Sequence, residues 1–136
     1  MPDSEETAVR HAGEALAAEY FARVDRVDLD GAVELYAEDA TFLGARGSAQ
    51  IRQRMEEGLA SNADKRSRHV IANLRSSLVD GDTLLVEYTA VAYTLDGSSP
   101  VSTRSVFDQE MIIRRGPDGW LRIADHRILG FDPPEK

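Results

Sequence analysis

Asp80-Gly81-Asp82 divides a stretch, Arg68 to Leu95, whose composition on both sides is that of β-strand. Asp-Gly between two such runs is among the strongest short-range hairpin signals. The stretch is therefore expected to form the central hairpin of a curved antiparallel sheet. In its second run, Leu84, Val86, Tyr88, Ala90, Ala92 and Thr94 alternate with Leu85, Glu87, Thr89, Val91, Tyr93 and Leu95. Neither row is uniformly polar, so both faces should meet protein, because a sheet with one wet face alternates more cleanly. One face would meet the body of the fold and the other a cavity or a partner subunit. The mixed outer face predicts a homo-oligomer, dimer to tetramer.

Upstream of Arg66 the apolar period is near 3.6 rather than two. Ser4 to Val27 carries Leu16, Tyr20 and Val24 at steps of four, with Val9, Ala12 and Val27 near the same stripe, and Ser4, Glu5 and Glu6 suit a helix start. Asp28-Leu29-Asp30-Gly31 interrupts it. AVELYAEDA reads as a second, shorter helix with Tyr36 and either Val33 or Ala32 inward, followed by a short strand Thr41-Phe42-Leu43 and a turn Gly44 to Gly47. Ser48 would cap a third helix bearing Ile51, Met55 and Leu59. After the hairpin come a looser turn at Gly97 to Pro100, a strand Val101 to Arg115, a turn Arg115 to Gly119, a strand Trp120 to Phe131 and a frayed tail Asp132 to Lys136. Helices first and a meander after indicate an α+β domain spanning residues 1–136, with its core at about 14–131.

Bulk properties exclude several function classes. With 24 acidic against 16 basic residues and a formal charge of −8, and no clusters of Lys and Arg, nucleic acid and anionic membrane are not expected as partners. There are no cysteines, which removes disulfides and thiolate chemistry. The first residues lack a basic region followed by an apolar core, and no apolar run approaches the roughly 20 residues needed to span a bilayer. A cytoplasmic location is the expectation.

Alternation places several polar residues on apolar faces. In the third long strand Gln109 lies in the row of Phe107, Met111 and Ile113, opposite Asp108, Glu110 and Ile112. In the last strand Asp125 and Arg127 interrupt the row of Leu121, Ile123 and Leu129, while Trp120, Arg122, Ala124, His126 and Ile128 take the other face. An unpaired buried charge is costly. Asp125 and Arg127 therefore either pair with each other, are turned outward by a β-bulge, or floor a polar cavity.

The order of long helix, short helix ending YAEDATF, third helix and four long strands, with RHVIAN opening the first and DGW the last, resembles the nuclear transport factor 2-like superfamily, in particular its SnoaL-like branch. The resemblance runs from about Glu14 to Phe131. It implies a cone: three N-terminal helices packed in a curved antiparallel sheet around a deep apolar pocket. The scaffold hosts isomerases, dehydratases, cyclases, dioxygenase β subunits and binding domains, so it speaks for fold more than for activity.

Residue by residue, the resemblance to scytalone dehydratase and bile acid dehydratase implies a catalytic dyad of Asp25, near the end of the first helix, and His69, opening the first long strand. It adds Tyr20, five residues before the Asp, as a catalytic donor. Arg127, or Asp125 on the same face, is the nearest match to a polar group on the final strand, and Gln109 to a pocket Asn. A second catalytic His of scytalone dehydratase corresponds to Thr94, so that partner is missing. The catalytic Asp of ketosteroid isomerase falls at Gly44, which argues against that route. The reading is thus a cofactor-independent lyase, dehydratase-like, or a related cyclase or isomerase, acting on an apolar cyclic small molecule. His69 would be the base, Asp25 its orienter, Tyr20 a hydrogen-bond donor to substrate, and Arg127, Gln109, Asp125 and Thr94 substrate-binding groups. Asn73 and Arg75 would either share the face of His69 or serve a subunit interface. Neither His11 nor His126 has ligand-like spacing to His69, and no metal site is expected. The alternative is a non-catalytic domain that binds a small molecule or a partner subunit.

Overall fold

In the computed structural model, which describes residues 4–61, 66–95 and 102–130, the change of period at Arg66 separates the helices from the long strands. Helix α1 (Ser4–Asp25) is followed by α2 (Leu29–Glu34), strands β1 (Tyr36–Phe42) and β2 (Ala45–Arg46), helix α3 (Gly47–Ser61), and strands β3 (Arg66–Asp80), β4 (Thr83–Leu95), β5 (Ser102–Arg115) and β6 (Leu121–Ile128). The helices pack against a curved, unclosed sheet of order β2-β1-β6-β5-β4-β3. The Gly97 to Pro100 turn, Phe131 and the expected tail lie outside the described residues. No helix among the described residues is long and apolar enough to cross a membrane.

The hairpin at Asp80-Gly81-Asp82 forms, with Asp82 N–H donating to Asp80 Oδ1 at 2.8 Å, but it is not central. β3 is an edge strand, because β1 inserts beside β6 in parallel register and moves the middle of the sheet to β6 and β5. The expected second helix is also displaced. Val27, at φ 60°, ends α1 in a left-handed turn, with Val27 N–H donating to Val24 O at 2.9 Å and Asp28 N–H to Arg23 O at 2.9 Å. That is a Schellman pattern with valine where glycine is usual. Asp28 then caps α2 by accepting from Gly31 N–H at 2.9 Å, so the chain turns helical one turn earlier than the composition of AVELYAEDA indicates. From Tyr36 it is already extended: Leu35 O accepts Ile123 N–H at 2.8 Å, and Tyr36, Ala40 and Phe42 turn inward.

The core lies between α1 and the concave face of the sheet. Gly13, Ala17, Tyr20 and Phe21 are the buried residues of α1. Gly13 lets the helix approach β4 so closely that a Cβ there would stand 2.6 Å from Leu84 Cδ1. Leu84, Val86, Tyr88, Ala90 and Ala92 of β4 are buried, as are Gln109, Met111 and Ile113 of β5, as alternation predicts. α1 is also tied to β3 by polar contacts, since Ser76 donates to Glu14 at 2.5 Å and accepts from Arg10 at 3.3 Å.

Two of the sheet's register shifts reset the alternation near the candidate polar residues. On β3, Asn73 and Leu74 oppose Tyr88 alone, with Asn73 at φ 55°. Asn73 is consequently exposed and Arg75 turns outward to Glu87 at 3.5 Å, so neither shares the face of His69. On β6, Ile113 pairs with Ile123 but Ile112 with Asp125, leaving Ala124 as the extra residue.

Candidate active site

Asp25 is the last residue of α1, and the turn at Val27 fixes the direction in which its carboxylate leaves the helix. It reaches the edge of the sheet. Asp25 Oδ2 accepts the backbone N–H of His69 at 2.8 Å, and Oδ1 stands 2.6 Å from His69 Nδ1. An ionised carboxylate can only accept, so His69 carries a proton on Nδ1. In the neutral ring Nε2 is therefore the lone-pair nitrogen. Both carboxylate oxygens are used on one residue. The backbone contact sets the distance and the ring contact sets the tautomer. The side chains of His69 and Asp25 retain 18% and 13% of their exposure, so the pair is largely dry yet reachable. The Phe21 ring packs against His69 at 5.0 Å between centroids and supplies an apolar wall beside the base.

Phe21 also separates the dyad from a second polar cluster. Its ring lies 5.1 Å from Tyr20, 5.6 Å from Tyr88 and 6.2 Å from His126. Tyr20 belongs to that cluster. It is buried and packed edge-on against Tyr36 and His126. Tyr36 Oη lies 2.8 Å from His126 Nδ1. Gln109 Oε1 lies 2.8 Å from His126 Nε2 and accepts the Tyr88 hydroxyl at 2.9 Å, and Tyr88 Oη is 3.2 Å from His126 Nε2. Burial pushes the Tyr20 hydroxyl up to about 12 and raises those of Tyr36 and Tyr88 as well. Burial, partly opposed by the Asp125 charge, pulls His126 down to about 3. The cluster is thus a neutral arrangement in which every charged form is disfavoured.

Of the residues singled out from sequence, His69 and Asp25 meet. Tyr20 and Gln109 meet each other's neighbours in the inner cluster. Thr94 lies on β4 opposite Ser67, two residues along from the Ala92 that pairs with His69, and so on the His69 face. Asp125 and Arg127 do not reach the interior. The Ala124 bulge turns them to the outer face, where Arg127 donates to Asp125 at 2.5 Å and to Glu110 at 3.0 Å, and Thr41 donates to Asp125 at 2.7 Å. The outward pairing among the alternatives is the one found. The residue that sequence reasoning missed is His126, which strict alternation sent outward and the same bulge brings in.

A cavity of about 730 Å³ opens elsewhere, between α2, β1, α3 and the β5–β6 turn, and its walls include neither Asp25 nor His69. Its arginines are engaged: Arg52 with Asp30, Arg114 with Asp39 at 3.0 Å, and Arg122 with Asp118 at 2.7 Å. Among the described residues no three His, Asp or Glu side chains converge to hold a metal ion.

A family profile described as a SnoaL-like domain matches residues 5–125. No curated protein matches significantly in sequence. Among solved structures, Aln2 from a Streptomyces species is similar with a TM-score of 0.81 at 18% identity, over 94% of this chain and 92% of that one. ActVI-ORFA from Streptomyces coelicolor is similar with a TM-score of 0.77 at 16% identity, over 94% and 95%. A candidate scytalone dehydratase from Novosphingobium aromaticivorans is similar with a TM-score of 0.71 at 17% identity, over 87% and 80%. At these identities the likeness shows the fold.

Proposed function

This chain belongs to the SnoaL-like domain family, and from that premise we propose that it is a cofactor-independent acid–base catalyst of the dehydratase or cyclase type, acting on an apolar cyclic small molecule. The observation that carries the reading is the two-point grip of Asp25 on His69 beside the Phe21 wall. A carboxylate that holds Nδ1–H leaves Nε2 as a base and stabilises the imidazolium that forms when it takes a proton. In a dehydration, Nε2 removes the proton from the carbon next to a carbonyl. The C–H electron pair becomes an enolate, which collapses to C=C and expels the β-hydroxyl. The imidazolium returns its proton to that leaving oxygen, water departs, and His69 is neutral again. One residue serves as base and then acid, so the absence of a second histidine at Thr94 does not stop the cycle.

The test is turnover of β-hydroxycarbonyl ring compounds by purified protein, with His69→Ala and Asp25→Asn alongside. Loss of the base should lower kcat about 10²- to 10⁴-fold with far-ultraviolet circular dichroism unchanged. Asp25→Asn should lower it similarly, because an amide can present its N–H to Nδ1 and stabilise the wrong tautomer. Activity retained in both variants would overturn the dyad.

One observation favours a second reading. The inner hydroxyls of Tyr36 and Tyr88 are engaged by His126 and Gln109, and the cavity of about 730 Å³ does not include the dyad. A binding domain or partner subunit requires no more than that. Saturable binding of such ring compounds without turnover, unaffected by His69→Ala, would favour it.

A further inference from the structure

Past the last β6 pair, Ile128 with Gln109, strands β3, β4 and β5 continue as a three-stranded arm that carries His69. Directly paired residues share a face of the sheet, so the register lays out rows on the inner side of this arm. His69, Ala92 and Ser105 form one row, and Ile71, Ala90 and Phe107 form the next. In both rows the middle strand contributes only a methyl group, and both alanines are buried. Larger side chains stand on β3 and, at Phe107, on β5. The result is a trough along β4, with Tyr88 at its inner end and Thr94 at its outer end. The Phe21 ring leans over it from α1, 5.0 Å from His69 and 5.6 Å from Tyr88.

Three unpaired polar atoms surround Ala92. Asp25 occupies His69 Nδ1, which leaves Nε2 without a partner, and among the described residues the hydroxyls of Thr94 and Ser105 have none either. No side-chain nitrogen or oxygen that is buried among the described residues lacks a partner. His69, Thr94 and Ser105 are each half-buried, so their unpaired atoms must reach open space. Ser105 stands two strand spacings from His69, about 10 Å, with Ala92 alone between them. A six-membered ring seated over the two alanines with one edge at Nε2 has its other edge towards Ser105.

We propose that Ser105 is a specificity-determining residue whose hydroxyl binds an oxygen on the far edge of the substrate ring, opposite the carbon that His69 deprotonates, with Ala90 and Ala92 as the floor of the seat. The substrate class is thereby a ring oxygenated on the edge away from the reacting carbon. A serine hydroxyl both donates and accepts, so a carbonyl or a hydroxyl serves as that oxygen. Which edge reacts rests on the acid–base reading above, whereas the seat itself does not.

The test is binding of phenol and of hydroquinone, kept anaerobic, followed by ¹H–¹⁵N NMR of the His69 ring. Either compound can donate a hydroxyl to Nε2, but only hydroquinone carries a second one to Ser105. The wild-type protein should bind hydroquinone about 10-fold more tightly than phenol, with the Nε2 resonance moving in both titrations. Ser105→Ala removes an unpaired, half-buried hydroxyl and should leave phenol binding unchanged. In that variant hydroquinone should keep only the statistical advantage of its second equivalent hydroxyl. Ala92→Leu should fill the trough and abolish binding of both. Equal affinities in the wild-type protein, a preference that survives Ser105→Ala, or a His69 ring that neither compound perturbs would each overturn the proposal. An intact, Ser105-dependent preference without turnover of any β-hydroxycarbonyl ring compound would keep the seat and sink only the catalytic reading.

Discussion

His126 makes the stability of this protein depend on acid in a way that can be worked out from its burial. Its ordinary value is 6.5, and inside the cluster burial brings it to about 3. The unfolded chain therefore binds a proton below pH 6.5 that the folded protein refuses. Unfolding takes up that proton, so stability rises with pH through this window and falls as pH drops from 6.5 towards about 3. Each pH unit inside the window is worth about 1.4 kcal/mol. By pH about 5 the loss from this one residue is about 2 kcal/mol, and over the whole window it is of the order of a small domain's total stability, roughly 5–15 kcal/mol. The protein should unfold in acid before the ring is protonated in place.

The assay is urea unfolding at a series of pH values between about 7 and about 5, on the wild-type protein and His126→Gln. Carboxylates contribute to both profiles and cancel in their difference. The variant is expected to be less stable at neutral pH, and its deficit should shrink by about 2 kcal/mol on going to pH about 5. Parallel profiles would refute the reasoning. So would a wild-type His126 that titrates near its ordinary value by NMR, a readout that does not require the variant to fold.

Val27→Gly should stabilise the protein by about 1 kcal/mol, because glycine tolerates the left-handed turn that ends α1. Thermal unfolding should then rise by roughly 3–5 °C, and no rise would contradict the Schellman account. Gly31→Ala should cost about 1–2 kcal/mol, since its Cβ would stand 2.1 Å from Oδ2 of the Asp28 carboxylate whose Oδ1 caps α2; a change within experimental error in chemical denaturation would refute the cap. Arg127→Ala removes outer-face pairs from a side chain 53% exposed, so it should alter stability by less than about 1 kcal/mol and leave turnover intact. A large loss of turnover would return Arg127 to the site.

What was legible in the sequence follows from which forces are local. The hairpin at Asp80-Gly81-Asp82, the helical stripe through Tyr20 and the inward row of Gln109, Met111 and Ile113 all come from periodicity that a short window contains. The end of the second helix was misjudged because the cap at Asp28 and the pairing of Tyr36 with Ile123 compete with the helix propensity of AVELYAEDA. That pairing is decided 87 residues away, by a strand that a window around Tyr36 does not contain. The dyad was legible only through resemblance, since nothing local joins Asp25 to a strand residue 44 positions later.

The β6 bulge explains the largest misreading and also the chemistry of the interior. Period-two reasoning holds only while register holds, and one extra residue sends every later side chain to the opposite face. Had the strand run without Ala124 as the extra residue, Asp125 and Arg127 would face Met111 and Gln109, and His126 would be outside. Two charges would then have to be buried against an apolar wall, at a cost of several kcal/mol per ion unless fully paired. The bulge exchanges those charges for one neutral imidazole whose two nitrogens are both bonded. On β3 the bulge at Asn73 has the same effect: it turns Arg75 out to Glu87 and brings Ser76 in against α1. Neither bulge is marked by glycine or proline. Each is instead marked by the charge that would otherwise fall on the core face, so a lysine, arginine or aspartate interrupting an apolar strand row is better read as a sign of displaced register than as a functional group in a cavity.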